Sequence, residues 1–194
     1  MDYLSPLDPD GGGTWIFVNR AGLIGCLLNN YQAPHKAENP ISRGLLLVSL
    51  AGCPTLHAAA EAVEQVDTVR YSGFHLFLYD GESVQLYNWD GRSLSKTPEA
   101  QITCPLTSSG YQSKEVAAYR REQYRLQVEP EDGNHLARIK HFHNFHDERV
   151  PAHSTLMVRS DARTVSQSRV VVEPHQIDFS YRAVERNRKF QPAI

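Results

Sequence analysis

Several shortages in this sequence each close off a class of function. The formal net charge is only −2, from 20 basic and 22 acidic residues, so no broad field of one sign draws nucleic acid or an anionic membrane surface. The longest apolar run, Gly44–Ala51, falls far short of the roughly 20 residues that span a bilayer. The opening MDYLSPLDPD has neither a basic n-region nor an apolar h-region, so no secretory signal is legible. Cysteine is scarce, and Cys26, Cys53 and Cys104 are too scattered and odd in number for a disulfide framework or a paired zinc motif. They read as small buried hydrophobes in a reducing compartment, which makes the cytoplasm the expected location. Internal repeats, low-complexity tracts and linkers are also missing.

What is present suits one ordinary domain. The 194 residues are 41% hydrophobic and 22% charged, enough to bury a real core. Thr14–Asn19 and Leu23–Asn29 read as two strands about a tight connection at Arg20–Gly22. A polar, proline-punctuated loop follows at 31–40. Ser42 is placed to cap a short helix ending near Gly52, and Pro54 suits the first turn of a second. In that second helix Leu56, Ala59, Ala60, Val63 and Val66 recur with a 3.6 period on one face. Phe74–Tyr79 and Ser83–Asn88 form a hairpin about Asp80–Gly81. Asp90–Gly91 offers the next turn, with a weak strand signal around Gln101–Pro105. Ser113 can cap a helix running through Val116, Arg120 and Tyr124. A further helix from about Asn134 puts Leu136, Ile139, His143 and His146 on one face. Strand-like runs close the chain at Ser154–Val158, Thr164–Val172 and Gln176–Tyr181, before a polar tail. Antiparallel strand pairs separated by helices imply an α+β fold, not a doubly wound parallel one.

Four features could carry chemistry. The cluster HFHNFH, with His141, His143, His146 and then His153, is rich in the commonest metal ligand, but its spacing fits no zinc motif such as HExxH. Histidines at a polar helix end account for it, and neither metal nor haem ligation follows from the spacing. The glycines at 11–13 precede a strand where a phosphate cradle needs a helix N-terminus. No GxSxG elbow occurs, and Cys26 sits mid-strand beside Leu27 and Leu28 as an inert buried thiol would. Asn29 ends an apolar strand, where a side-chain amide is either a turn former or a donor to a developing oxyanion. Position alone leaves both open, and no cofactor is called for.

The stretch GGGTWIFVNRAGLIGCLLNNYQ, residues 11–32, resembles a known family. Its GGTW, then Asn-x-x-Gly, then an apolar strand ending in Leu-x-Asn is similar to the NRDE family, the group that includes transport and Golgi organisation protein 2. The likeness continues through SRGLL at 42–46, YSGFHLFLYDG at 71–81 and LTSS at 106–109. It closes with HSTLMVRSDARTVSQSRV at 153–170, which is most similar to the bacterial branch. The resemblance implies the N-terminal-nucleophile hydrolase architecture, a four-layer αββα sandwich of two antiparallel sheets between helices. One domain over 1–182 with a polar tail at 183–194 is expected. In the penicillin and bile-salt amidases of that architecture an N-terminal cysteine is nucleophile and base, with an asparagine in the oxyanion hole. By that resemblance Asn29 is the oxyanion donor and Ser108 stands where a second amide sits. A supporting arginine maps to Arg120 or Arg121, with Arg121 preferred.

The chain departs from the family at its start. Members begin Met-Cys and carry Asn-Arg-Asp-Glu further on, whereas this sequence opens MDYLSPLDPDGGG. On the order of 40 residues, about two strands, are missing by comparison. Without them an antiparallel sheet exposes an edge, so a gene whose start is assigned too late is the expectation. The expected role is an amide-hydrolase-like protein that is inactive without its nucleophile. The alternative is a non-catalytic carrier or trafficking factor holding a lipid-like or haem-like ligand. Neither nucleic acid nor a membrane span is expected, and the oligomeric state is open.

Overall fold

The computed structural model describes residues 2–34, 38–130, 134–173 and 176–184. The chain divides into two compact units, Met1–Ile102 with Ser168–Ser180, and Thr103–Gln167 with Tyr181–Ile194. The fold class is α+β, as the strand and helix order implied.

In the first unit six strands lie side by side in sequence order: β1 (Tyr3–Leu4), β2 (Ile16–Asn19), β3 (Ile24–Asn29), β4 (Phe74–Tyr79), β5 (Val84–Trp89) and β6 (Leu94–Thr97). All five pairings are antiparallel. Two helices, α1 (Arg43–Leu50) and α2 (Leu56–Glu64), enter between β3 and β4. Alternation decides which strand residues meet them. Phe74, Leu76 and Leu78 of β4 are fully buried in one core with Leu46, Leu47 and Leu50 of α1 and Ala59 and Val63 of α2. The 3.6-period stripe on α2 is therefore a core face, with Val66 packed at its margin. Thr55 caps α2, its hydroxyl accepting from the Ala58 amide, so Pro54 lies just outside the helix and not in its first turn.

The two hairpin turns share one device. Asp80 Oδ1 accepts the Glu82 and Ser83 amides at 3.1 and 2.9 Å, and Asp90 Oδ1 accepts those of Arg92 and Ser93, both at 2.8 Å. The second turn sets Leu94 opposite Trp89, so the last strand forms at Leu94–Thr97. The strand expected at Gln101–Pro105 is absent for a local reason. The Gln101 and Ile102 amides turn back to the Pro98 and Glu99 carbonyls and are lost to any ladder.

The β2 edge is managed locally. Only Tyr3↔Asn19 and Leu4↔Val18 cover it, while further along the Thr14 hydroxyl donates to the Ile16 carbonyl and accepts from its amide. Those are the groups a neighbouring strand would use, and Pro6 on the β1 side brings no amide of its own. Gly13 and Gly44 let the chain before β2 approach α1 closely. A Cβ on Gly13 would lie 2.5 Å from the Gly44 carbonyl carbon, and one on Gly44 would lie 2.8 Å from the Thr14 nitrogen.

The second unit holds α3 (Ser113–Gln127) and α4 (His135–His143). Val116, Val128 and Phe142 are buried, and the Tyr124 ring meets Phe142 edge-on at 5.3 Å. Gln112, with φ of 39°, is the residue before α3, so Ser113 is its first helical residue and not its cap. Asn134 caps α4 through the Ala137 amide. Strands β7 (Ser166–Glu173) and β8 (Gln176–Ala183), most of whose residues belong to the first unit, form a separate two-stranded sheet. The strand expected at Ser154–Val158 is a loop. Leu156 donates to Phe145, Met157 to the Thr164 hydroxyl and Val158 to Pro151, three scattered anchors that leave one bridge, Val158↔Arg163. Of the expected tail, 185–194 lie outside the described residues.

Candidate functional site

Asn29 and Asn30 end β3 and do different work. Asn30 ties the strand end down: its amide nitrogen donates to the Asn88 side chain at 3.1 Å and to the Trp89 carbonyl at 3.3 Å, and its Oδ1 accepts the Gln32 amide. The turn-forming role open to Asn29 thus belongs to its neighbour. Asn29 is half-buried and donates from Nδ2 to the Tyr31 hydroxyl at 2.9 Å. A primary amide has two N–H donors, so one remains for a further acceptor.

Arg43, the first residue of α1, reaches the same strand end. Its Nη1 donates to the Gly73 carbonyl at 3.0 Å, the residue whose carbonyl also accepts the Asn30 amide. Burial holds the guanidinium below its ordinary pKa, and the nearby Tyr31 phenol works against that. Asn29, Tyr31 and Arg43 therefore converge within the first unit, a phenol flanked by an amide and a cation.

Cys26 is poorly suited to act as a nucleophile. Cys26 lies mid-strand between Ile16 and Phe77, and burial pushes its thiol up to about 11. The thiol form is therefore favoured over the thiolate near neutral pH. Burial also raises Cys53, and Cys104 is exposed.

In the second unit Arg120 is the organising group. Its Nη1 donates to the Thr107 hydroxyl at 3.0 Å and the Ser108 carbonyl at 3.4 Å, Nε to the His153 carbonyl at 3.1 Å and Nη2 to Ser154 at 3.0 Å. Ser108 meets it through the backbone carbonyl. Arg121, one residue along α3, is exposed to solvent. Asn29 is positioned by the core of the first unit, and Ser108 and Arg121 by that of the second.

Beside Arg120 lies an acid–phenol pair with no warning in the sequence. Tyr119 donates to Asp147 Oδ2 at 2.8 Å, Arg149 grips the same carboxylate through Nε and Nη2, and the Asp147 amide donates to the buried Ser154 hydroxyl. The arginine and phenol hold the Asp147 carboxyl well below the usual carboxylate range. Burial, and then the carboxylate, push Tyr119 up to about 12. His146 and His153 are engaged with the Leu156 carbonyl and the Gln112 side chain. Among the described residues no group of three or more His, Cys, Asp or Glu could hold a metal ion, and no helix is long and apolar enough to cross a membrane.

Asn19, which sequence reading passed over, is the most fully bonded polar side chain of the first unit. At 1% exposure its Nδ2 donates to the Ala51 and Cys53 carbonyls at 3.1 and 2.7 Å. Its Oδ1 accepts the Ala21 and Leu23 amides at 3.0 and 3.1 Å. Asn19 and Gly22, the latter at φ of 85°, make the Asn-x-x-Gly of the hairpin a brace between the β2–β3 turn and the α1–α2 connection. Comparison with protein families matches residues 1–180 to the family described as Transport and Golgi organisation 2. No curated protein matches.

Proposed function

Since the chain belongs to the Transport and Golgi organisation 2 family, we propose that it is an N-terminal-nucleophile-hydrolase-like scaffold that binds an amide or related carbonyl ligand at Asn29 without hydrolysing it. The observation that carries this is the Asn29 side chain. It stands half-buried at the end of β3, its amide tied among the described residues to the Tyr31 phenol alone, while Asn30 does the structural work. A preorganised amide donor at a strand end recognises a carbonyl oxygen in the ground state as well as a developing oxyanion. Hydrolysis needs in addition a nucleophile, and Cys26, with its thiol near 11 inside the sheet, is unsuited to that task.

Ser108 and Arg121 are proposed as ligand-facing residues of the second unit. Arg120 is committed to four acceptors, so Arg121 is the neighbour left available. The αββα sandwich and a cytoplasmic setting belong to the same proposal, supported by the antiparallel sheet with its helical layer and by three unpaired cysteines.

The test has two arms. The 194-residue chain, incubated with penicillin-type and N-acyl amide substrates, is expected to release no product; turnover abolished by Cys26→Ala would overturn the proposal. Binding of a neutral amide such as butyramide, followed by NMR, is expected to be saturable and lost in Asn29→Ala. Equal binding by that variant would remove Asn29 from the site.

A further inference from the structure

Arg43 differs from the arginines that are paired with an acid or fully engaged. Arg20, Arg125, Arg149 and Arg159 each sit on a carboxylate, that of Asp2, Glu122, Asp147 and Asp161 respectively. Arg120 has four acceptors. Arg43 is half-buried, yet its side chain makes one hydrogen bond, to the Gly73 carbonyl, and has no acidic partner among the described residues. A guanidinium removed from water and left without a counter-charge is costly unless something else supplies one.

Its surroundings add donors. The Tyr31 oxygen already accepts from Asn29, so its own O–H points elsewhere, and it lies close enough to Arg43 for the two to interact electrostatically. Asn29 keeps its second N–H. Ser42, at the cap position of α1, makes no side-chain bond to the first-turn amides, so it does not satisfy the positive end of the helix from within.

We propose that Asn29, Tyr31 and Arg43 form a binding site for a small organic monocarboxylate, with the Arg43 guanidinium pairing with the carboxylate and the phenol and amide fixing its orientation. A carboxylate fits better than phosphate on charge. One cation balances one negative charge, and the planar guanidinium fork matches the planar carboxylate. The proposal rests on the placement of Asn29 at a ligand site given above, and it identifies what that ligand carries.

The experiment titrates the full chain with butyrate and with butyramide at constant ionic strength. It follows the Arg43 Nε–H and Asn29 side-chain amide signals by NMR. Butyrate is expected to bind saturably and to weaken about tenfold or more in Arg43→Gln, which removes the charge but keeps a donor for the Gly73 carbonyl. Tyr31→Phe, a change at a side chain that is 56% exposed and so carries little folding risk, is expected to weaken butyrate severalfold by removing the phenolic donor. Butyrate affinity unchanged in Arg43→Gln, or in Tyr31→Phe should the first variant not fold, would overturn the proposal. So would phosphate competing as well as butyrate, the mark of an adventitious ion only. Butyramide binding as tightly as butyrate, and lost in Asn29→Ala, would overturn the carboxylate assignment while leaving the carbonyl site standing. No binding of either probe would remove both.

Discussion

Replacing Asn19 by alanine is the sharpest test of how the first unit is held together. The side chain makes four hydrogen bonds at 1% exposure, two to the carbonyls of the α1–α2 connection and two from amides of its own turn. The bonds to Ala51 and Leu23 are buried and the other two partly so. Alanine leaves the Ala51 carbonyl and the Leu23 amide without partners in a dry site, at roughly 1 kcal/mol or more each. Water can reach the other two, which reduces their share to about half that. The sum is about 3 kcal/mol, a large part of the 5–15 kcal/mol that stabilises a typical domain. Trp15 and Trp89 both belong to the first unit, so tryptophan fluorescence during urea unfolding reports that unit alone. With m of about 1–3 kcal/mol/M, the midpoint should fall by about 1–3 M at unchanged m. A loss under about 1 kcal/mol, the usual size of a turn residue's effect, would refute the brace.

Gly13→Ala should destabilise the first unit by about 1–3 kcal/mol in the same urea titration, because its Cβ meets Gly44 backbone at 2.5 Å. Gly52→Ala, with nothing within 4 Å, serves as the tolerated control, and equal effects would discredit the close approach. At pH 8 iodoacetamide should modify exposed Cys104 well before half-buried Cys26, whose thiol is pushed up to about 11; mass spectrometry of early products showing Cys26 labelled first would contradict its mid-strand placement. The Asp147 carboxyl titrates lower in the folded chain than its unfolded value of about 3.9, so its stabilisation is present above about pH 4 and lost as pH falls through the folded pKa. The stability gap between the native chain and Asp147→Asn, followed by near-ultraviolet circular dichroism, should close on acidification; a gap constant from pH 7 to pH 3 would count against the pairing with Arg149 and Tyr119.

Local signals made most of the first unit legible. Asp80–Gly81 and Asp90–Gly91 marked their turns because an aspartate ahead of a glycine accepts the amides two and three residues on, as both do here. The α2 stripe was legible because one core contacts it continuously. Failures came where the same residue types served loops. Ser154–Val158 has a strand's composition, but its amides find three different loop acceptors. Leu94–Thr97 has a loop's composition and is a strand because the preceding turn delivers it in register. At the candidate site Asn29 stood out as a strand-terminal amide. Tyr31 read as loop and Arg43 as a helix start, and their convergence depends on the β3–β4 register, which no local pattern encodes. Asn19 was hidden for a similar reason, since its acceptors lie more than thirty positions away.

The order of strands in the first sheet also shapes how it assembles. Its strands are neighbours in sequence throughout, and most are joined by tight hairpins that close in about 1–10 μs. The short β1 joins β2 through the longer segment 5–15, and the longest connection is the seam from β3 to β4, where both helices intervene between Asn29 and Phe74. Chain entropy for bringing those ends together must be met before the six residue pairs of that seam repay it. The β2–β3 and β4–β5–β6 pieces can thus form early and separately, and this topology predicts that the slow step is their pairing along β3 and β4. Truncations at Leu27 or Leu76, on that seam, would slow folding, whereas loosening the Asp90 turn would chiefly hasten unfolding. The strand end that carries Asn29 is therefore fixed only when that seam closes.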